Sequence, residues 1–118
     1  GNFSVGGVIS GASASFTGNM SAGSITETSS ITLKENITPI DNALEAIVQL
    51  AGKIYDRKDG SAINEAGLIA EEVNEIIPNV VKRDKDGNPE AIYYSRLSAY
   101  LIEAVKTIKT EIDILKGK

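Results

Sequence analysis

Residues 28–37 read Thr28-Ser29-Ser30-Ile31-Thr32-Leu33-Lys34-Glu35-Asn36-Ile37 and join two stretches of different composition. No charged side chain precedes Glu27, whereas charged residues recur throughout the chain from Lys34 onward. At this junction Ser29 and Lys34 lie five positions apart. A serine hydroxyl beside a lysine amine provides a nucleophile and a base without histidine or cysteine, and the chain contains neither. The junction is therefore the first candidate for a reactive site.

The composition of the 118 residues narrows the classes of function and partner. A net charge of −4 argues against a nucleic-acid partner, because phosphate contacts need a basic surface. No apolar run approaches the length of a membrane span, and nothing resembles a cleavable signal peptide. The absence of cysteine and histidine removes disulfides, thiol chemistry and the commonest metal ligands. We therefore expect a soluble protein that uses no metal, no cofactor and no small-molecule substrate.

The segment before the junction is rich in Gly, Ser and Ala, with apolar residues every few positions. Parts of it alternate between polar and apolar residues, and its glycines are typical of corners between short strands. By composition alone a flexible linker is the alternative. An uncharged segment of this kind buries its apolar side chains only when several copies wind together. Those side chains are Phe3, Val5, Val8, Ile9, Phe16, Met20 and Ile25.

Downstream of the junction, short helices and short strands alternate. Thr38 followed by proline is typical of a helix start, and Gly52 of a helix end. Alternation predicts a strand at 54–57, and an apolar pair predicts a buried strand at 68–69. A short amphipathic helix follows, with its glutamates facing outward, and Pro78 ends it.

A β-hairpin is predicted from two strands, at 80–82 and 91–94. They flank the turn sequence Asp84-Lys85-Asp86-Gly87-Asn88. The acidic residues of this loop raise the alternative of a calcium site, but the third ligand and the final glutamate of an EF-hand loop are missing. Together with the preceding elements, the hairpin predicts a small α+β domain.

The longest predicted helix runs from Ser95 to about Leu115. Apolar residues recur along it in alternating steps of four and three, which is the spacing of a coiled-coil seam. Packing of this face on its own domain is the alternative, because the seam is shorter than four heptads. Because the upstream segment buries its apolar side chains only when several chains wind together, a parallel trimer is the better interpretation. The predicted trimer seam consists of Leu101, Val105, Ile108, Ile112 and Leu115.

Three blocks of the sequence carry a family resemblance: SSITLK at 29–34, EAGLIAEEVNEIIP at 65–78 and IYYSRL at 92–97. In this order they resemble the C-terminal intramolecular chaperone domain of phage tail fibres, tailspikes and endosialidases, the peptidase S74 family. The corresponding domain of myelin regulatory factors is similar too. The resemblance implies two parts, the end of a trimeric, triple β-helix-like fibre at 1–28 and a chaperone and self-cleavage domain at 29–118.

The family motif reads Ser-Asp, any residue, Arg, any residue, Lys, and cleavage precedes the serine. Ser29 matches the nucleophile, Lys34 the lysine, and Thr28-Ser29 the scissile bond. Ser30 stands where the family has Asp, and Thr32 where it has Arg. The resemblance therefore implies a single-turnover serine peptidase that cleaves its own chain and has no activity on other proteins.

Acceptance of the serine proton requires a neutral lysine, and burial among apolar side chains favours that form. Ile31, Leu33 and Ile37 are the candidates to provide such surroundings. Residues five apart point to opposite faces of a strand and lie about 140° apart on a helix. Either a turn or a lysine from a neighbouring subunit must therefore bring Ser29 and Lys34 together.

The resemblance implies that three copies assemble, direct folding of the upstream fibre and then release themselves by cleavage. The fibre would belong to the virion, and the released chaperone would remain in the host cytoplasm. The departures at Ser30 and Thr32 favour one alternative, a permanent trimerisation cap of the same fold that never cleaves. Two further alternatives, a membrane-anchored transcription factor and a protease acting on foreign substrates, fit the uncharged upstream segment and the embedded nucleophile poorly.

Overall fold

The computed structural model describes Ser4 and residues 6–117. The chain divides into two compact units, Gly1–Lys34 and Glu35–Lys118, which are described separately. The predicted division after Thr28 concerns the cleavage position, and it stays a prediction.

The described part of unit 1 contains a single turn of 3₁₀ helix, at Ile31–Leu33, and no strand. The short strands predicted here are therefore not formed by one chain. The physical reason is that a strand needs a partner for its backbone N–H and C=O groups, and no other described segment of this unit supplies one. Phe3 and Val5 lie outside the described residues. The remaining apolar side chains of the segment are between 60% and 90% exposed: Val8, Ile9, Phe16, Met20 and Ile25.

Unit 2 is a small α+β domain, as predicted, with two separate two-stranded antiparallel sheets and a long C-terminal helix. Strands β1 (Lys53–Tyr55) and β2 (Glu65–Gly67) form the first sheet, and β3 (Val81–Arg83) and β4 (Pro89–Ile92) form the hairpin predicted around Asp84–Asn88. A 3₁₀ turn at Pro78–Val80 separates the second helix from the hairpin. In chain order the elements are α1 (Ala43–Ile47), β1 (Lys53–Tyr55), β2 (Glu65–Gly67), α2 (Ala70–Ile76), β3 (Val81–Arg83), β4 (Pro89–Ile92) and α3 (Tyr94–Lys116).

Helix α1 is shorter than the sequence predicts. It begins at Ala43 rather than after Thr38, because Asn42 adopts a left-handed backbone conformation with φ of 58° and interrupts any helix running through it. It ends at Ile47, well before Gly52. The strand predicted at 68–69 is also displaced, since β2 pairs with β1 through Glu65–Gly67.

The core of unit 2 lies where α2, the hairpin and the first half of α3 meet. Val73 of α2 and Ile77, the residue that caps its C-terminus, are 1% and 2% exposed, as the amphipathic pattern predicts. Pro78 follows at once, because proline has no N–H to continue the helix. Leu97 is the α3 residue buried in this cluster. The five buried residues of the cluster are Val73, Ile77, Val80, Val81 and Leu97.

Candidate functional site

A single 3₁₀ turn, Ile31–Leu33, lies at the junction between the uncharged upstream segment and the charged downstream domain. Its backbone hydrogen bonds run from the N–H of Leu33 to the carbonyl of Ser30, at 3.0 Å, and from the N–H of Lys34 to the carbonyl of Ile31, at 3.2 Å. The Ser30 hydroxyl accepts a third bond, from the N–H of Thr32, at 3.2 Å. Ser30 is thus the N-cap of the turn, a position that serine favours because its side chain satisfies a free backbone donor.

The turn brings Ser29 and Lys34 into contact. The Lys34 Nζ donates a hydrogen bond to the Ser29 Oγ at 2.7 Å within the same chain. Of the two arrangements expected from their spacing, the structure contains the turn. The pairing supplies the geometry of a nucleophile and its base, while the roles of both residues in cleavage, and of the Thr28-Ser29 bond, stay predictions.

The surroundings of this pair are open in the single chain. Ser29 and Lys34 are both exposed, and so are the three side chains expected to enclose them. Ile31, Leu33 and Ile37 leave 73%, 70% and 64% of their surfaces exposed. A turn of three residues presents its side chains outward and is too short to wrap around a lysine. The chain therefore provides proximity at the pair without apolar enclosure.

Helix α3 carries the predicted seam, and most of the seam lies beyond the part of the helix that packs on the domain. Leu97 and Ala104 are buried, at 7% and 3% exposure, on the side that meets the core and α1. Every described residue from Val105 to Gly117 is exposed. The seam residues retain between 41% and 70% of their surface: Leu101, Val105, Ile108, Ile112 and Leu115.

A second set of polar groups surrounds Gly67, within the block at 65–78. The hydroxyl of Tyr94 accepts a hydrogen bond from the N–H of Leu68 at 2.9 Å. A Cβ added at Gly67 would lie 2.5 Å from the Tyr55 hydroxyl and 2.9 Å from the Tyr94 hydroxyl. Gly67 is thus required for the close approach of two tyrosines, a constraint that only the fold reveals.

Glu65, opposite Tyr55 in the β1–β2 register, is the acidic group of the same region. Hydrogen bonds from the Tyr55 hydroxyl and from Arg57 hold the pKa of Glu65 below its usual value. The Arg57 Nη2 lies 2.8 Å from the Glu65 Oε2. The same bond to Glu65 raises the pKa of Tyr55. These contacts connect the two strands of the first sheet and place no nucleophile beside a base.

The acidic hairpin tip is occupied by turn hydrogen bonds. The Asp84 Oδ1 accepts from the N–H groups of Asp86 and Asn88, each at 2.9 Å, and Gly87 has a φ of 85°. Within residues 6–117, no cluster of acidic side chains has the arrangement of a metal site. In the same range no helix combines the length and the apolar character needed to cross a bilayer.

A family model described as the chaperone of endosialidase, peptidase S74, matches residues 29–82. Residues 29–82 are thus similar to the peptidase S74 family. The match begins at Ser29, the residue whose hydroxyl contacts Lys34, and it extends through α2 into β3. The family resemblance stated from the three sequence blocks is confirmed.

Two curated relatives extend the similarity beyond the matched S74 segment. The chain is 36% identical over 107 residues to the long tail fibre protein Gp37 of Enterobacteria phage K3, and equally so to that of Enterobacteria phage T2. Each alignment covers 85% of this chain but only 9% or 8% of the relative. The chain thus spans less than a tenth of the tail fibre proteins that it matches.

The 3₁₀ turn at Ile31–Leu33 also involves two polar residues, Ser30 and Thr32, whose structural role the sequence does not reveal. From the sequence alone, Ser30 and Thr32 are departures from the family motif, and Ser30 is a less likely nucleophile than Ser29 because its spacing to Lys34 is one residue short. In the structure their hydroxyl oxygens lie 2.9 Å apart, and Ser30 caps the turn. The available signal is the residue type, since serine directly before a short helical turn is a favoured cap.

Proposed function

We propose that this chain is the C-terminal chaperone of a phage tail fibre, which assembles as a homotrimer and then removes itself from the fibre. In this proposal residues 1–28 are the end of the trimeric fibre, and residues 29–118 are the chaperone. The chaperone's partners are its own two copies and the fibre segment of its own chain. Support comes from the S74 match and from the similarity to two long tail fibre proteins.

The observation that carries self-cleavage is the hydrogen bond between Lys34 and Ser29. Lys34, once neutral, takes the proton of the Ser29 hydroxyl, and the Ser29 Oγ adds to the carbonyl carbon of Thr28 through a five-membered ring. The bond from that carbon to the Ser29 nitrogen then breaks, and the nitrogen leaves with the proton returned by Lys34. Water hydrolyses the resulting ester, which gives a Thr28 carboxylate and a new amino terminus at Ser29. The reaction is single-turnover and needs no cofactor.

The exposure of the pair in one chain explains why cleavage would wait for assembly. Proton transfer to Lys34 requires the neutral amine, and desolvation by neighbouring apolar groups favours that form. Ile31 and Leu33 are 73% and 70% exposed in one chain, so neighbouring copies have apolar surface to cover there. Cleavage that depends on this cover takes place only after three chains have joined.

The seam on α3 supports the trimeric chaperone. Five apolar side chains lie along one line of the helix and remain exposed after the domain has folded. Three such lines pack together in a parallel coiled coil. Once joined there, the three upstream segments meet at a high effective concentration, which offsets the entropic cost of finding a common register. Cleavage then separates the chaperone from the fibre, so that the fibre cannot unfold by reversal of the assembly step and remains kinetically trapped.

The proposed locations follow from these roles. The fibre part of the chain belongs to the virion, and the released chaperone stays in the host cytoplasm where assembly takes place. Recovery of the two fragments from separate fractions tests this assignment. Peptides from before Ser29 should copurify with phage particles, and peptides after it should stay in the lysate.

The decisive experiment is intact mass under denaturing conditions, measured on the wild type beside Ser29→Ala and Lys34→Ala. We expect the wild type to split between Thr28 and Ser29 and both variants to remain whole. Matched controls are Ser24→Ala and Lys58→Ala, which remove a serine and a lysine that are exposed elsewhere. Cleavage in either dyad variant at the wild-type rate contradicts the mechanism.

A permanent trimerisation cap is the second candidate. It is favoured by the open surroundings of Ser29 and Lys34 and by Ser30 and Thr32 at the two positions where the family has charged residues. A wild type that forms trimers yet retains its full mass over days supports the cap. Cleavage limited to the trimer fraction excludes it.

A further inference from the structure

The contact between Lys34 and Ser29 depends on a turn that has few bonds of its own. A single 3₁₀ turn is marginal in water, because ordering its residues costs entropy that two backbone hydrogen bonds barely offset. In an extended chain, residues five apart are separated by about 16 Å and face opposite sides. A lysine side chain does not bridge that separation, so the contact exists only while the turn is formed.

We propose that Ser30 is the positioning residue of this site: its hydroxyl holds the turn that sets Lys34 against Ser29. The Ser30 Oγ accepts from the Thr32 N–H at 3.2 Å and lies 2.9 Å from the Thr32 Oγ1. Its carbonyl accepts from Leu33 as well, so one residue makes three of the contacts that close the turn. The catalytic consequence rests on the self-cleavage proposed above.

The neighbouring side chains do not replace the Ser30 hydroxyl in holding the turn. The hydroxyl of Ser29 is engaged by Lys34, and the Thr32 hydroxyl reaches the turn through Ser30 itself. Ile31 and Leu33 have no polar side-chain atom. Within the described residues of unit 1, no other side chain makes a hydrogen bond inside this turn. Loss of the Ser30 hydroxyl should therefore lower the fraction of chains in which the lysine reaches the serine.

The test compares cleavage rates of the full chain carrying Ser30→Ala, Ser30→Asp or the control Ser24→Ala. Loss of an N-cap at a helical turn lowers its population by about 2- to 30-fold, so Ser30→Ala should slow cleavage by that factor. Aspartate caps as well as serine, so Ser30→Asp should restore the rate to within about twofold. Ser24→Ala should cleave at the wild-type rate. Trimer content is measured on each sample by light scattering.

A second measurement is independent of cleavage. In the Ser29→Ala background every chain stays whole, and NMR amide exchange at Leu33 and Lys34 reports how often the turn opens. Exchange at these two amides should rise towards the rate of an unprotected amide in Ser30→Ala and return towards the parent value in Ser30→Asp.

The outcomes separate this inference from the proposed function. Slower cleavage and faster exchange, both restored by aspartate, support positioning by Ser30. Unchanged exchange in Ser30→Ala overturns it, and so does a cleavage rate that stays constant while the turn opens. An equal loss of cleavage rate in the alanine and aspartate variants also overturns it, because aspartate should cap the turn as well as serine does. If the wild type never cleaves, self-cleavage is refuted, and the exchange data alone decide whether Ser30 holds the turn.

Discussion

Replacement of Ile112 by alanine should weaken the association of three chains, whereas the same replacement at Ile114 should not. Both residues lie in the last turns of α3 and are exposed in the single chain, at 42% and 56%. Ile112 belongs to the seam, and Ile114 lies on the opposite side of the helix, given about 100° per residue. Alanine has a higher helix propensity than isoleucine at both positions, so this contribution cancels in the comparison.

The size of the effect follows from the surface that a trimer can still cover. Full burial of an isoleucine side chain contributes about 1.5–3 kcal/mol, so covering 42% of Ile112 contributes about 0.6–1.3 kcal/mol per chain. Three copies give about 2–4 kcal/mol, which raises the trimer dissociation constant about 30- to 900-fold. That constant varies as the square of the free-chain concentration, so the midpoint of dissociation should rise about 5- to 30-fold.

Sedimentation equilibrium over a range of concentrations measures this midpoint, in the Ser29→Ala background so that all chains keep their full length. Ile114→Ala should dissociate at the same concentration as its parent. If Ile112→Ala and Ile114→Ala shift the midpoint equally, the seam is refuted, because the trimer would then bury the two sides of the helix to the same extent. A parent that is monomeric at every concentration refutes trimerisation itself.

Three further predictions concern the domain and its link to cleavage. Gly67→Ala should destabilise unit 2 by about 1–3 kcal/mol in urea unfolding, because the added Cβ would overlap two tyrosine hydroxyls. The control Gly52→Ala should be neutral or slightly stabilising, because the space around Gly52 is open. The lowered pKa of Glu65 stabilises the fold above about pH 4.3 and stops doing so as the pH falls through the lower folded pKa. The stability difference between wild type and Glu65→Gln should therefore shrink in acid, and a difference that grows would contradict the assignment. Finally, Ile112→Ala should slow cleavage at low protein concentration and recover at high concentration, while rapid cleavage by a monomer would contradict the link to assembly.

Elements with strong local signals were predictable from the sequence. Helix α2 combines an apolar stripe with Pro78 directly behind it, so both its inward face and its end were correct. The hairpin tip is determined by Asp84 and Gly87, whose preferences act within five residues. Helix α3 is long enough for its periodicity to dominate, and its predicted limits, Ser95 to Leu115, differ from the observed ones by one residue at each end.

Other features depend on contacts that no local pattern encodes. The proline after Thr38 has the fixed φ of a first helical residue, yet Asn42 takes a left-handed conformation and delays α1. The tyrosines at Gly67 come from β1 and from the start of α3, and their meeting point requires the fold. At the candidate site, the sequence provides the pair and the need for a turn, while the capping role of Ser30 needs atomic positions.

The local origin of the Ser29–Lys34 contact changes what assembly has to contribute. If a neighbouring subunit supplied the lysine, trimerisation would create the pair, and cleavage would be impossible in one chain for lack of a base. Here the pair forms within six residues, so proximity is already present before any partner arrives. A single chain does not bury the pair, since Ser29 and Lys34 are exposed to solvent. The apolar side chains near them in the sequence, Ile31, Leu33 and Ile37, are exposed as well. In the proposed mechanism assembly would therefore act by covering the lysine with apolar groups, and mixed trimers discriminate the two cases. A chain with intact Ser29 and Lys34 should cleave beside two Lys34→Ala partners, whereas a Lys34→Ala chain should stay whole beside two wild-type partners.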